Sequence, residues 1–332
     1  MKIRHHLISV CMPLVAACVL FLSSCGPTYP KEKLPETIKK VCKDEYKMDV
    51  DVSVDGSTLG IYCPIKGLLD VSMGISEEAW DQISNLILIA SRVVLSTDAK
   101  INFYIVITQD ERLPEMQIVI IKYVEDVKQG MFRYIGRDES FKRTLFSMNL
   151  TPQARKERSV EKVFDRLGVE EQVRESVLSE FFRSSPSKLS DIGYWRGHFY
   201  IKDVEVGEFL SAQIANRMRI DFKNDKTLDE EFKFDSAEGL FLREKNKKAF
   251  QIKYKIYNQI QTDDKKRLNN DKVKGILQIV YDVVDGYKFK EFDFVELEDQ
   301  LENSKVNVPS DEIWSFKKRK KLLDDMMDTG LF

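Results

Sequence analysis

Val50-Asp51-Val52-Ser53-Val54-Asp55-Gly56-Ser57-Thr58-Leu59-Gly60-Ile61-Tyr62-Cys63 decides how the first half of this chain is read. Three valines alternate with Asp51, Ser53 and Asp55, the period of two that a half-buried strand imposes. Asp55-Gly56 supplies the turn and residues 58–63 the returning strand, so the stretch is a β-hairpin. Just before it, Pro35 opens a helix over residues 35–47, with Ile38, Val41, Cys42 and Tyr46 on one face. Just after it, Ser76 caps a longer helix whose first turn carries Glu77 and Glu78, complementing the helix dipole. Its stripe is Trp80, Ile83, Ile87, Ala90 and Val94, and it ends near Ser96. Two strand-like runs follow, 101–109 and 115–123, joined by Asp110-Glu111-Arg112-Leu113-Pro114. The predicted order over residues 34–124 is αββαββ, an α+β module with its helices on one sheet face.

Farther along, the pattern changes. Residues 125–187 read as a charged helical bridge. Thr151-Pro152 starts one helix, Val160, Val163, Phe164 and Leu167 form its stripe, and Gly168 ends it; a second helix over 169–182 is broken by Ser184-Ser185-Pro186-Ser187. Residues 188–300 read as a C-terminal α+β domain. Phe209, Leu210, Gln213, Ile214, Arg217 and Met218 suit a helix, and four strand-like runs follow at 230–243, 248–260, 273–284 and 286–297. Phe250, Ile252, Tyr254 and Ile256 alternate with Gln251, Lys253 and Lys255, and Asp285-Gly286 signals a hairpin between the last two runs. Leu277, Ile279, Tyr281 and Val283 then share one face of a strand. On the return strand, Tyr287 and Phe289 are out of phase with Phe292 and Phe294. A bulge near Lys290-Glu291 would restore the phase and curve the sheet. Pro309-Ser310-Asp311-Glu312 starts a terminal helix within residues 301–332, with Ile313, Phe316, Leu323 and Met327 on one side. No internal repeat of fixed period shows.

The first module resembles BON domains and other small envelope modules in element order, without a diagnostic motif, so no functional residue is carried over. A helix followed by a curved antiparallel sheet is similar to cystatin-like or NTF2-like cones, again in architecture alone.

The chain has 332 residues, 43% hydrophobic and 32% charged, enough apolar side chain for a sizeable core and about two domains. A formal charge of −2 gives no whole-chain field for nucleic acid. Residues 1–24 have the three zones of an export signal: Lys2 and Arg4, an apolar run over 7–22 too short to span a bilayer, then small residues. Leu22-Ser23-Ser24-Cys25 resembles the lipobox of bacterial lipoprotein precursors, which implies lipidation of Cys25 and a mature chain beginning there. A second box, Val15-Ala16-Ala17-Cys18, would leave Val19-Leu20-Phe21-Leu22 as an exposed apolar stub, whereas Cys25 is followed by a polar tether over 25–33. Cleavage without lipid is the other reading. Within that resemblance, Gly26 after the cysteine favours an outer membrane, facing the periplasm, in a diderm organism.

Elsewhere the chemistry is sparse. Asp51-x-Ser53-x-Asp55-Gly56 resembles the first half of an EF-hand calcium loop, but its twelfth position is Tyr62 where a bidentate Glu belongs, so a hairpin with a polar face is preferred. Cys42 and Cys63 are a candidate disulfide in an oxidising compartment or two buried free thiols; both readings stay open. His198, alone in the mature chain, has no nucleophile elbow or second histidine to serve and reads as a packed strand start. Lys317-Lys318-Arg319-Lys320-Lys321 reads as a solvated helix face offset by Asp324, Asp325 and Asp328, with anionic head groups as the alternative partner. No phosphate loop or Cys-x-x-Cys pair appears, so no cofactor, metal or catalytic residue is assigned. The resulting expectation is a lipid-anchored, non-catalytic binding or scaffold module of the cell envelope, with the membrane and an envelope protein as partners and no nucleic acid. Two alternatives stand: a carrier or sensor of an apolar ligand in the C-terminal domain, and an envelope-polymer hydrolase. A closed apolar pocket would favour the carrier. A carboxylate pair about 5–10 Å apart in a cleft would favour the hydrolase.

Overall fold

The computed structural model describes residues 29–70, 72, 74–181, 186–244, 247–260 and 265–315. The first module follows the sequence pattern in its elements, but Trp80, expected in the core stripe of the helix after Ser76, is 41% exposed, and Leu86, Ile89 and Val93 are buried instead. Helix α1 (Leu34–Tyr46) buries Leu34, Ile38 and Cys42 and ends on Lys47 in the left-handed region. Strands β1 (Asp51–Asp55) and β2 (Thr58–Ile65) pair antiparallel through the Gly56 turn, where φ is +57°. Ser76 caps α2 (Glu77–Val94), accepting the Ala79 amide at 3.2 Å. That helix carries the chain across to β3 (Phe103–Asp110), parallel to β2, and β4 (Leu113–Tyr123) returns antiparallel. Ile38 and Cys42 of α1 and Ile83, Leu86 and Ala90 of α2 share one core with Leu59, Ile61 and Cys63, so both helices cover the same sheet face.

Residues 125–187 depart from the expected all-helical bridge. After α3 (Val124–Met131) and α4 (Arg137–Lys142), β5 (Leu145–Leu150) pairs antiparallel with β4 and becomes the fifth strand of the sheet, in the order β1-β2-β3-β4-β5. Only then do the two expected helices follow, α5 (Pro152–Leu167), capped by Thr151 and ended by Gly168, and α6 (Glu171–Phe181). The strand was hidden because Leu145-Phe146-Ser147-Met148 is too short for a clear period.

A small hairpin, β6 (Gly193–Trp195) with β7 (His198–Tyr200), leads into α7 (Val206–Asn224) and the short α8 (Lys226–Glu231). Strands β8 (Phe232–Glu244) and β9 (Lys247–Asn258) then pair antiparallel, as the pattern predicts. The next run does not: residues 273–284 lie in a helix, α9 (Lys265–Gly286), and Asp285-Gly286 is its end rather than a hairpin turn. Val273, Ile276, Leu277, Val280, Val283 and Val284 are all buried, at helical spacings of three and four. Ile279 and Tyr281 are buried as well, so the odd-numbered residues that mimic a strand are a subset of a wide apolar arc. The last expected run shrinks to β10 (Phe294–Asp299), parallel to β9, and β11 (Ser304–Pro309) occupies part of the segment assigned to the terminal helix. Helix α10 (Ser310–Ser315) does begin at Ser310; Phe316, Leu323, Met327 and the basic run Lys317-Lys318-Arg319-Lys320-Lys321 lie outside the described residues.

The anticipated bulge near Lys290-Glu291 is absent because those residues are in a connection, not a strand. The parity argument applies instead to β8. Phe232 and Phe234 face the core from even positions, and Phe241 does so from an odd one; the register shifts between Phe234 and Ser236, leaving Asp235 as the extra residue.

The second sheet, β11-β10-β9-β8, is therefore mixed rather than an antiparallel cone, and its connectivity repeats that of the first module. Each module is helix, hairpin, crossover helix, hairpin, with the parallel pair in the middle. The fold is α+β, two αββαββ modules stacked in layers: α1 and α2, the first sheet, α7 and α9, the second sheet. Phe103 of the first sheet lies 5.2 Å from Phe209 of α7, and Phe250 and Ile252 of the second sheet join the same core. Helix α7 thus has a sheet on each side, which explains apolar residues around most of its circumference.

Candidate functional site

Among the described residues, no strand pairs with the outer edge of β5 or of β8, and the stacking brings these two edges to the same place. Strand β5 ends the first sheet and β8 ends the second. Between them runs a groove of about 640 Å³, floored by Ala212, Ala215 and Asn216 of α7 and by Val119 and Ile121 from the first sheet. Nine consecutive residues of β8, 234–242, line it, as do Leu145, Phe146 and Ser147 of β5. Alternate side chains of a strand point to opposite faces, so an unbroken run of lining residues means that the strand's edge, with its backbone donors and acceptors, borders the groove. Phe234, Ala237 and Phe241 supply apolar surface.

Two ion pairs tie down charges at its wall. Lys188 Nζ lies 2.7 Å from Glu238 and Lys202 Nζ 2.8 Å from Glu208. The groove wall is held close by glycine. A Cβ at Gly239 of β8 would stand 1.9 Å from the Ser211 carbonyl oxygen of α7, and one at Gly207 would stand 2.5 Å from the Phe241 ring.

A largely buried ionic cluster links the two modules. Arg143, 8% exposed, bonds Asp126 at 2.9 Å and Glu139 at 2.6 Å, and its guanidinium lies 4.7 Å from the Tyr287 ring centroid. Arg217 of α7 also reaches Glu139, and the Tyr287 hydroxyl donates to Asp126 at 2.5 Å. Burial pushes the Asp126 carboxyl up, against the hydrogen bonds from Tyr287 and Arg143. Glu139 is also desolvated, but Arg143 and Arg217 outweigh that and hold it below its ordinary value. Burial, then the Asp126 charge, pushes the Tyr287 phenol well up. Every charged member has an opposite charge beside it, so removing any one partner would leave an uncompensated charge in a largely buried place.

The residues singled out in the sequence land elsewhere. Cys25 lies outside the described residues. Cys42 and Cys63 are buried free thiols in the core beneath α1 and α2; burial pushes them up to about 11 and about 12. Asp51 and Asp55 belong to β1, and the Asp51 carboxylate accepts from Tyr194 at 2.6 Å and Lys39 at 3.1 Å. Among the described residues no group of three His, Cys, Asp or Glu is placed to hold a metal ion. His198 starts β7, but it is exposed at the rim of the hairpin rather than packed. Sequence reasoning missed the groove. Its only signal was the phase slip between Phe234 and Phe241, which marks β8 as a bulged edge strand.

Fold and groove define the class: a two-module α+β protein with an open cleft between strand edges. No family model matches the chain, and no curated protein or solved structure does either.

Proposed function

We propose that this is a lipid-anchored, non-catalytic binding module of a bacterial cell envelope, and that its groove takes an extended segment of an envelope protein. The single observation behind this reading is the unbroken lining of the groove by residues 234–242 of an edge strand. Such an edge adds a strand from a partner through backbone hydrogen bonds, with apolar side chains choosing the sequence. The bulge at Asp235 interrupts regular pairing at one end, which limits indiscriminate edge-to-edge association. The groove is open rather than closed, which suits a peptide better than a carried apolar ligand. Its Glu208 and Glu238 are engaged by lysines, which suits a wall better than an acid–base pair. Lipidation of Cys25 would keep the body at the membrane, since two or more acyl chains exceed the threshold for stable anchoring.

In-cell photo-crosslinking tests the groove. A photoreactive side chain at Ala237 should trap one defined envelope protein, whereas one at Asn303, on the exposed β10–β11 turn, should not. Equal trapping at both positions, or none at Ala237, would defeat the reading. Cys25→Ala should abolish acyl labelling and release the chain from membranes, while Cys18→Ala should do neither.

A further inference from the structure

Helix α3 ends in a turn that displays apolar side chains to solvent instead of hiding them. The Tyr134 amide donates to the Gln129 carbonyl at 2.8 Å, and the Arg133 amide to Gly130 at 3.1 Å, with Arg133 at φ +59°. This is a Schellman closure, in which the residue in Tyr134's place ordinarily folds back onto the last helical turn. Here Tyr134 is 80% exposed, Phe132 69% and Met131 67%. Phe141 on α4 is 70% exposed, and Phe132 and Tyr134 stand 6.0 Å apart, so both helices and the turn of this corner carry exposed apolar side chains. Isolated exposed apolar residues need no explanation, but an ordered cluster of this size marks a contact surface.

The charges around the cluster are one-sided. From Lys128 to Arg137 there is no acidic residue. Arg133 and Arg137 are exposed and form no ion pair with any other described residue. The nearby acids are largely engaged: Glu125 with Lys128, Glu139 with Arg143 and Arg217, and Asp221 with Lys142, leaving Asp138 exposed. Aromatic rings interleaved with arginine suit the head-group layer of an anionic bilayer, where rings sit among the glycerol groups and guanidinium meets phosphate.

The tether brings that layer within reach, resting here on the lipid anchor proposed above. Tyr29 docks on Ser96 at the end of the module where Asn102 receives the Val124 amide and α3 begins. Three residues lie between Cys25 and Tyr29, and four steps of chain reach no more than about 14 Å, which bounds the distance of an anchored Cys25 from it. At 1.5 Å per residue, the apolar turn comes about 12 Å along α3 from that same end.

We propose that Met131, Phe132, Tyr134 and Phe141 form a second membrane contact, inserting among the head groups of an anionic bilayer with Arg133 and Arg137 on its phosphates, and so orienting the tethered body. The test uses the mature chain carrying Cys25→Ser, which has no lipid, so that the footprint is read independently of the anchor; acyl labelling of Cys25 reads the anchor itself. In co-sedimentation, this chain should partition onto phosphatidylcholine vesicles containing about one-third phosphatidylglycerol, weakly in high salt and weakly onto phosphatidylcholine alone. Phe132→Ser with Tyr134→Ser should lower that partitioning about tenfold or more. Arg133→Gln with Arg137→Gln should erase the preference for anionic vesicles. All four positions are exposed, so circular dichroism should be unchanged. Vesicle binding that is absent, or that survives the aromatic substitutions, overturns the proposal. So does concentration-dependent dimerisation lost in the aromatic variant without vesicle binding, which would assign the surface to a second copy.

Discussion

Replacing Gly239 with alanine adds one methyl group where, of all the described glycines, a Cβ would meet its closest neighbour. Its Cβ would stand 1.9 Å from the Ser211 oxygen and 2.5 Å from its carbonyl carbon, and both are helix backbone that no rotamer change can move. Reaching ordinary contact requires α7 to retreat from β8 by about 1.5 Å. The helix has little room to do so, because its other side carries Phe209 against Phe103 and Tyr123 of the first sheet. Overpacking of this kind costs about 1–3 kcal/mol and occasionally more, and the rigid backbone clash argues for the upper end, about 3 kcal/mol. At about 2–4 °C per kcal/mol for a chain of roughly this size, the thermal midpoint should fall by about 6–12 °C. Circular dichroism melts and urea unfolding measure both quantities. Gly136→Ala is the control, at a helix start with ordinary negative φ and nothing within 4 Å of the added methyl. Because α7 floors the groove, Gly239→Ala should also weaken crosslinking at Ala237. A Gly239→Ala protein as stable as the wild type would mean that α7 and β8 are not in backbone contact and that the groove floor is wrongly placed.

Arg143→Met should destabilise by about 3–5 kcal/mol in urea, because it strands the buried Asp126 and removes one partner of Glu139; adding Asp126→Leu should recover part of the loss. Asp110 is fully buried, and the Arg112 side chain, helped by the Leu69 and Arg112 amides, overcomes desolvation and holds its carboxyl well below the usual range. Its contribution is therefore complete above the unfolded aspartate pKa of about 4 and is lost as pH falls through the lower folded value. Wild-type stability should accordingly drop more steeply on acidification below that point than Asp110→Asn does, and parallel pH profiles would refute the assignment. Cys42 and Cys63, their thiols pushed up to about 11 and about 12, should resist a thiol reagent at pH 8 in the native mature chain carrying Cys25→Ser, and both should react on unfolding in urea. Two thiols that stay silent even when unfolded, until a reductant is added, would show the disulfide alternative in that preparation.

The first module was legible because each of its signals is local. Val50, Val52 and Val54 alternate beside a turn, and Ser76 caps a helix with a single stripe, so pattern and propensity agree over short spans. The α+β class followed from that agreement. Residues 273–284 were not legible in the same way. A helix flanked by other layers buries most of its circumference, so Leu277, Ile279, Tyr281 and Val283 satisfy a strand's period as well as a helix's, and only the neighbouring layers decide between them. The repeat of the αββαββ connectivity was invisible for a related reason: the two modules share strand order but bury different side chains against different partners. The groove, too, is a tertiary product. Leu145 and Ala237 are 92 residues apart in sequence and meet across it because two sheets stack with α7 between them, an arrangement held by Arg143, Asp126 and Tyr287. What the sequence determined on its own was whatever a run of ten or twenty residues encodes through spacing and capping. What only the tertiary structure decided was which edges stay open, because an edge is defined by the strand that is missing beside it.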